Sequence, residues 1–202
     1  MKPSLTKVIQ WGHELLAEVV GAGDLAVDLT AGNGYDTLAL LHMVGPAGQV
    51  VAFDIQTQAL SATADKVKEL AAPVRFHYDW DEPLEQAAGV DLVLLGHENF
   101  ARVVSGTPRG IIANLGFLPG GAREIITRPD STLAALDQAL QALAVGGRLA
   151  VVVYPGHPGG AEEAATVSEF LSGLGECSYQ VLQVRVTNRS QAPFLLVVEK
   201  RD

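Results

Sequence analysis

Cysteine is almost missing from this chain: Cys177 stands alone among 202 residues. That excludes an internal disulfide and a cysteine-built zinc site, and it fits a reduced compartment. Long apolar runs are missing too, since no stretch reaches the roughly 18 apolar residues of a membrane span. Residues 1–10 carry two lysines but neither an apolar segment nor a small-residue cleavage site, so a cytoplasmic location and no membrane partner are expected. Positive charge is scarce: 14 Lys and Arg face 23 Asp and Glu, for a formal net charge of −9. Such a balance argues against a broad electrostatic grip on nucleic acid, which needs clustered cations to neutralise phosphate. Arg102, Arg109, Arg123 and Arg128 nevertheless fall in one segment, and the sequence leaves open whether they share a face. Aromatic residues make up only 6%, while the 48% hydrophobic content, rich in Ala, Val and Leu, fits an α/β protein. The length suits one domain over residues 1–202 with a sizeable core.

What is present centres on Val27 to Thr37, Val-Asp-Leu-Thr-Ala-Gly-Asn-Gly-Tyr-Asp-Thr. The apolar run 25–29 predicts a short buried strand, Gly32 and Gly34 a tight turn, and 36–44 a helix. A strand, a glycine loop and a helix in that order expose backbone N–H groups at a helix N-terminus to a nucleotide-like ligand. A dinucleotide fingerprint needs a third small residue, where Thr37 stands instead. Asp28 lies close to where a pyrophosphate would sit, and a carboxylate there repels phosphate while attracting a cation or hydroxyl. S-adenosyl-L-methionine, with a sulfonium, an α-ammonium and no phosphate, suits that chemistry. A second strand over 49–53 ends in Asp54, about twenty residues past the loop, where an acid accepts hydrogen bonds from ribose hydroxyls.

Along the chain, residues 4–20 have helical spacing and predict an amphipathic helix packing on the sheet, with His13 an ordinary surface or interface histidine. A helix is expected over 56–70, strands over 74–80 and 90–95, and a strand over 111–115. Pro129-Asp-Ser-Thr132 carries helix-start signals, Val145-Gly-Gly147 a stop, and 148–154 a further central strand. A helix over 161–171 and a closing strand pair over 179–186 and 194–199 complete the order. Parallel α/β units followed by a terminal pair predict a Rossmann-like, seven-stranded, mostly parallel sheet with an antiparallel terminal strand and helices on both faces. Asp79, Trp80 and Asp81 either flank an adenine or form a surface turn.

Five motifs in order, Asp28-Leu-Thr-Ala-Gly-Asn-Gly-Tyr-Asp-Thr37, Phe53-Asp-Ile-Gln56, Gly96-His-Glu98, Asn114-Leu-Gly-Phe-Leu-Pro-Gly-Gly121 and Tyr154-Pro-Gly-His-Pro-Gly-Gly160, resemble the bacterial Putative rRNA methylase family of the YtqB/MnmM type. The resemblance covers nearly all of the chain after the N-terminal helix. It implies a class I S-adenosylmethionine-dependent methyltransferase, and its characterised branch methylates the amine of 5-aminomethyl-2-thiouridine at the tRNA wobble position. The family pattern has one strand before His-Glu, so the segment over residues 66–83 is extended relative to it.

Ligands in doubly wound sheets lie beyond the carboxyl ends of the strands, where all five motifs fall. Asp28, Thr30, Ala31, Gly32, Asn33 and Gly34 are the expected surroundings of the methionine part, with Asp36 and Thr37 at its amino-acid end. Asp54 is expected on the ribose, Ile55 and Gln56 near the adenine, and His97 and Glu98 against the adenine or a loop backbone. Amino-methylating members of this fold carry Asn or Asp, Pro-Pro and an aromatic where Asn114-Leu-Gly-Phe stands. Asn114 is therefore the expected acceptor of the target N–H as well as a cofactor contact. Leu115 and Gly116 replace the two prolines, which leaves open a glycine turn that shapes the cofactor pocket.

Tyr154 and His157 are candidates for substrate orientation or proton removal, and Phe117, Pro119, Gly120 and Arg123 for substrate binding. No metal is expected, since His157 with Glu162 or Glu163 lacks the spacing of a known ligand set. tRNA or another RNA is the expected partner, with a homodimer left open. An rRNA or small-molecule acceptor, or cofactor binding without turnover, are the competing functions.

Overall fold

A computed structural model describes residues 7–78, 82–116 and 126–202. The expected strands and helices alternate. Strand β1 (Leu25–Asp28) leads to helix α2 (Tyr35–Val44), after the N-terminal α1 (Val8–Ala17). Then come β2 (Gln49–Asp54), α3 (Thr57–Val67), β3 (Val74–His77), β4 (Gly89–Leu94), the short α4 (Phe100–Val103) and β5 (Gly110–Asn114). The chain closes with α5 (Pro129–Ala142), β6 (Arg148–Val153), α6 (Gly160–Ser172), β7 (Tyr179–Arg185) and β8 (Phe194–Lys200).

The strands form one sheet in the order β3-β4-β2-β1-β5-β6-β8-β7, parallel throughout except for β8. Eight strands among the described residues correct the expected seven. Both middle segments are strands: β4 takes the place beside β2, and β3 adds outside it with Val74 opposite Val90. Arg75 holds that edge by pairing with the buried Asp91 of β4 at 2.7 Å. The antiparallel strand is also next to last, since β8 lies between β6 and β7.

The central strands read as continuous apolar runs because both faces are covered. Alternate residues serve opposite faces. Val27, Val51, Ile111 and Val151 meet Phe100, Leu136, Leu140, Val167 and Leu171 of α4, α5 and α6. Ala26, Val50, Ile112 and Ala150 meet Leu16, Leu40, Val44, Leu60 and Val67 of α1, α2 and α3. From β1 the chain winds outward to β2, then returns to lay β5 on the other side of β1. The resulting crevice at the carboxyl ends is the usual ligand position in such a sheet. Helix α1 is shorter than expected, because Val19 and Val20 fold back in a turn onto the Leu16 carbonyl.

Candidate active site

The loop between β1 and α2 is built on backbone. Gly32 and Gly34 have φ of +52° and +76°, and Gly34 caps α2 so closely against α3 that a Cβ there would lie 2.7 Å from the Thr63 Cα. The Ala31 N–H donates to the Phe53 carbonyl at 2.8 Å, and the Gly34 N–H to the Ala31 carbonyl at 2.8 Å. Asp28 lies underneath, fully buried, accepting from the Thr30 N–H at 3.0 Å and the Thr37 hydroxyl at 2.6 Å. Burial first, then the charge of Asp36, pushes the Asp28 carboxyl up to about 7. Asp28, Gly34 and Thr37 thus brace the loop from behind.

In front of the loop opens a cavity of about 1270 Å³, lined by Thr30, Ala31, Gly32, Asn33, Asp36, Asp54, Ile55, Gln56, His97, Glu98, Asn114, Tyr154 and His157, among others. The structure therefore gathers these expected site residues around one cavity. Asp54 ends β2 and takes the Gly32 N–H at 3.0 Å on one oxygen and the Gln56 N–H at 2.9 Å on the other. Burial raises its pKa, although these amides oppose the shift. Ile55 is 60% exposed beside it.

His97 follows β4 in a short 3-10 turn, His97–Asn99, and its Nδ1 bonds the Leu29 carbonyl at 3.2 Å. A carbonyl only accepts, so that nitrogen carries the proton and Nε2 offers a lone pair. Nε2 is buried without a hydrogen-bond partner among the described residues, and burial lowers the His97 pKa, so the ring is neutral at pH 7. The Glu98 carboxylate folds back over Gly96, where a side chain would collide with it.

At the cavity floor the ends of β5 and β6 meet the start of α2. The Asn114 N–H donates to the Thr30 hydroxyl at 2.8 Å, and the Asn114 side-chain amide donates to Asp36 at 3.0 Å. The other Asp36 oxygen is 2.6 Å from Nε2 of His13, on α1. Burial first, then Asp36, raises the pKa of Tyr154, opposed by a hydrogen bond with the Asn114 side chain. Tyr154 therefore stays a neutral phenol near pH 7, fitted for orientation rather than proton removal. His157 Nδ1 faces the Pro158 carbonyl at 2.9 Å, and its ring packs so tightly on Gly160 that a Cβ there would come within 2.8 Å of Nε2. Glu163 accepts the Thr127 and Thr132 hydroxyls at 2.8 Å each, and Thr127 also takes the Gly116 N–H at 2.9 Å. Glu163 is thus a brace for the loop after β5.

Sequence reasoning missed His13 and Tyr35. His13 sits on the helix turn that faces Asp36, a contact between residues 23 apart with no local signature. Tyr35 is exposed at the cavity mouth with the Lys66 ammonium 3.8 Å from its ring centroid. The described arginines of the 102–128 segment do not all reach the cavity. Arg109 clasps the Val19 and Val145 carbonyls, Arg102 bonds Asn99, and Arg128 lines the cavity. Phe117, Pro119, Gly120 and Arg123, like Asp79, Trp80 and Asp81, lie outside the described residues. No helix among the described residues is long and apolar enough to cross a membrane, and none of their His, Cys, Asp and Glu side chains group in threes as a metal site.

A glycine loop at the switch point, an acid ending the second strand and an asparagine ending the strand across the crevice define a Rossmann-like methyltransferase. Comparison with known proteins narrows the class. Residues 50–200 match the family model described as Putative rRNA methylase. The chain is 37% identical over 209 residues to the chloroplastic tRNA (mnm(5)s(2)U34)-methyltransferase of Arabidopsis thaliana, covering 97% of this chain and 70% of that protein. Two solved structures share the fold over nearly their whole length. One, a putative rRNA-methylase from Clostridium thermocellum, is 32% identical at a TM-score of 0.86, with 99% of this chain and 100% of that chain covered. The other, a putative methyltransferase from Streptococcus mutans in complex with SAH, is 33% identical at 0.81, with 99% of each chain covered. The chain belongs to the Putative rRNA methylase family, and it is a methyltransferase.

Proposed function

We propose that this methyltransferase takes its methyl group from S-adenosylmethionine and N-methylates the aminomethyl group of 5-aminomethyl-(2-thio)uridine at the tRNA wobble position. The observation that carries this reading is the Asn114 amide, held at the cavity floor beside the glycine loop, where a strand-end amide can accept from a target N–H. The substrate named for the Arabidopsis relative, and the SAH bound by the Streptococcus mutans protein, support it.

The residues present fit the cofactor. The Asp54 carboxylate accepts from the Gly32, Gln56 and Ile55 amides and, with about four lone-pair sites, retains capacity for a ribose hydroxyl. The buried His97 Nε2 is an acceptor suited to an exocyclic amine such as that of adenine. Ile55 supplies an apolar surface for a base, and Ala31, Gly32 and Asn33 present the loop to the same cavity. Thr30, Asp36 and Gln56 complete the cofactor wall, and Glu98 lies against its His97 edge. Asp28, Gly34 and Thr37 act from behind by holding the loop.

When bound, S-adenosylmethionine supplies a methyl group on a sulfonium, open to in-line displacement. The chain's own residues do the positioning, which supplies much of the acceleration in such a transfer. Asn114 accepts a hydrogen bond from the target amine and aims its lone pair. Tyr154, a neutral phenol hydrogen-bonded to the Asn114 side chain, orients the incoming group beside it. The burial that raises Tyr154 also disfavours the charged form of an alkylamine, against the pull of the Asp36 carboxylate. His157, packed on Gly160 beside Gly116, shapes the acceptor side of the cavity. Phe117, Pro119, Gly120 and Arg123 are the candidates for substrate binding in this reading.

The experiment is methyl transfer from labelled cofactor to bulk tRNA of a strain lacking the protein, with mass spectrometry of the wobble nucleoside. Appearance of the methylaminomethyl nucleoside is expected, and unlabelled tRNA would refute the assigned substrate. A second reading, a small-molecule acceptor, is favoured by one observation: Arg109 and Arg102 are engaged away from the cavity that Arg128 lines.

A further inference from the structure

We infer that His13 and Asp36 are positioning residues that set which way the Asn114 amide faces. The inference rests on the reading of Asn114 as the group that accepts from the target amine. An asparagine amide is nearly symmetric in shape, so packing by itself does not choose between its two rotations. A carboxylate only accepts hydrogen bonds, so the Asn114 atom 3.0 Å from Asp36 Oδ2 is the amino nitrogen. The amide oxygen is thereby turned to the other side of the group, away from Asp36. One flip would put N–H groups where the target N–H must be accepted.

Asp36 needs its own anchor to make that choice. It is 5% exposed in the first turn of α2, where the helix N-terminus favours a carboxylate. His13 reaches it from α1 at 2.6 Å and occupies Oδ1, which leaves Oδ2 for Asn114. The backbone of Asn114 is fixed separately, through the Thr30 hydroxyl at 2.8 Å. His13 therefore acts on the rotation of the amide and not on the placement of its strand. Nor is His13 what docks α1. That helix sits on the sheet through the fully buried Leu16, through Val8, and through Gly12, where a Cβ would stand 3.5 Å from Leu195. Removing the imidazole leaves those contacts in place, so positioning and folding are separable.

The test compares His13→Ala, His13→Gln and the exposed control Glu14→Ala in single-turnover methyl transfer to tRNA lacking the modification. Calorimetric SAH binding and thermal midpoints are measured alongside. His13→Ala is expected to slow transfer about 10-fold or more, the scale of a displaced reacting group, with the KM for tRNA, SAH affinity and midpoint nearly unchanged. His13→Gln, which keeps a donor near the Nε2 position, is expected to restore most of the rate, and Glu14→Ala to match the parent. A wild-type rate in His13→Ala, or parallel losses of rate, SAH affinity and midpoint, would overturn the inference. The side-chain amide proton signals of Asn114, read by NMR in the parent and in His13→Ala, report the rotation without any substrate. They are expected to be protected from exchange in the parent and to lose that protection in the variant; equal protection in both would also overturn it. Should the parent methylate no tRNA, the substrate reading fails while these signals still decide the positioning role.

Discussion

The Thr37 hydroxyl donates to the Asp28 carboxylate at 2.6 Å, tying the first turn of α2 to the end of β1 beneath the glycine loop. With the Thr30 N–H on its other oxygen, Asp28 becomes the loop's internal post. The face turned to the cavity is then left to backbone and to Asp54. This division separates residues that hold the loop's shape from residues that can touch a ligand.

The buried post gives the protein a pH signature. The Asp28 carboxyl is raised from 3.8 to about 7 in the folded chain, so between those values the native state holds a proton that the unfolded state has released. Its contribution to stability is complete below about pH 3.8 and is lost as pH rises through about 7. Asp28→Asn removes that titration. Urea unfolding at pH 5.5 and pH 8, as stated test conditions, is expected to show a smaller loss of stability on raising the pH in Asp28→Asn than in the parent.

Asp54 should govern cofactor affinity. Asp54→Ala removes a charged acceptor and frees the Gly32 and Gln56 amides that it orders. Hydrogen bonds to charged groups contribute about 1.5–3 kcal/mol, so Kd for SAH is expected to rise about 10- to 150-fold by calorimetry.

Asn114 should govern the transfer step instead. Loss of a preorganised polar group aimed at the reacting atom typically costs about 10²- to 10³-fold in rate. Asn114→Ala is expected to lose methyl transfer on that scale in single-turnover assays while SAH affinity changes far less. A loss of affinity equal to the loss of rate would assign Asn114 to cofactor binding.

Gly34 and Gly23 separate strain from collision. Both have φ in the left-handed region, +76° and +88°, which costs a side chain about 1–2 kcal/mol. A Cβ at Gly23 meets open space, whereas one at Gly34 meets the Thr63 backbone at 2.7 Å. Gly34→Ala is expected to destabilise the protein by about 1–3 kcal/mol more than Gly23→Ala in denaturant unfolding, the usual range for overpacking.

Much of the fold was legible because its signals are local. The strand, glycine loop and helix around Gly32 and Gly34, the acid after the second apolar run, and the helix start at Pro129 are set by neighbouring residues. The strand number was less so. Val74–His77 reads as a strand, but its place outside β4 depends on which edges remain open once the other strands have paired. The short helix Phe100–Val103 carried too few residues to show a period.

By itself the sequence determined the alternation of strands and helices, the glycine positions and the chemistry available at the strand ends, since these follow from side-chain period and backbone freedom along a short stretch. Only the tertiary structure decided that Asp28 props the loop while Asp54 faces the cavity, that Arg102 and Arg109 bond away from the cavity that Arg128 lines, and that His13 stands against Asp36. Those outcomes depend on burial and on contacts between residues far apart in the chain. A carboxylate's role is fixed by which donors surround it and how much water reaches it, and neither is written in the residues beside it.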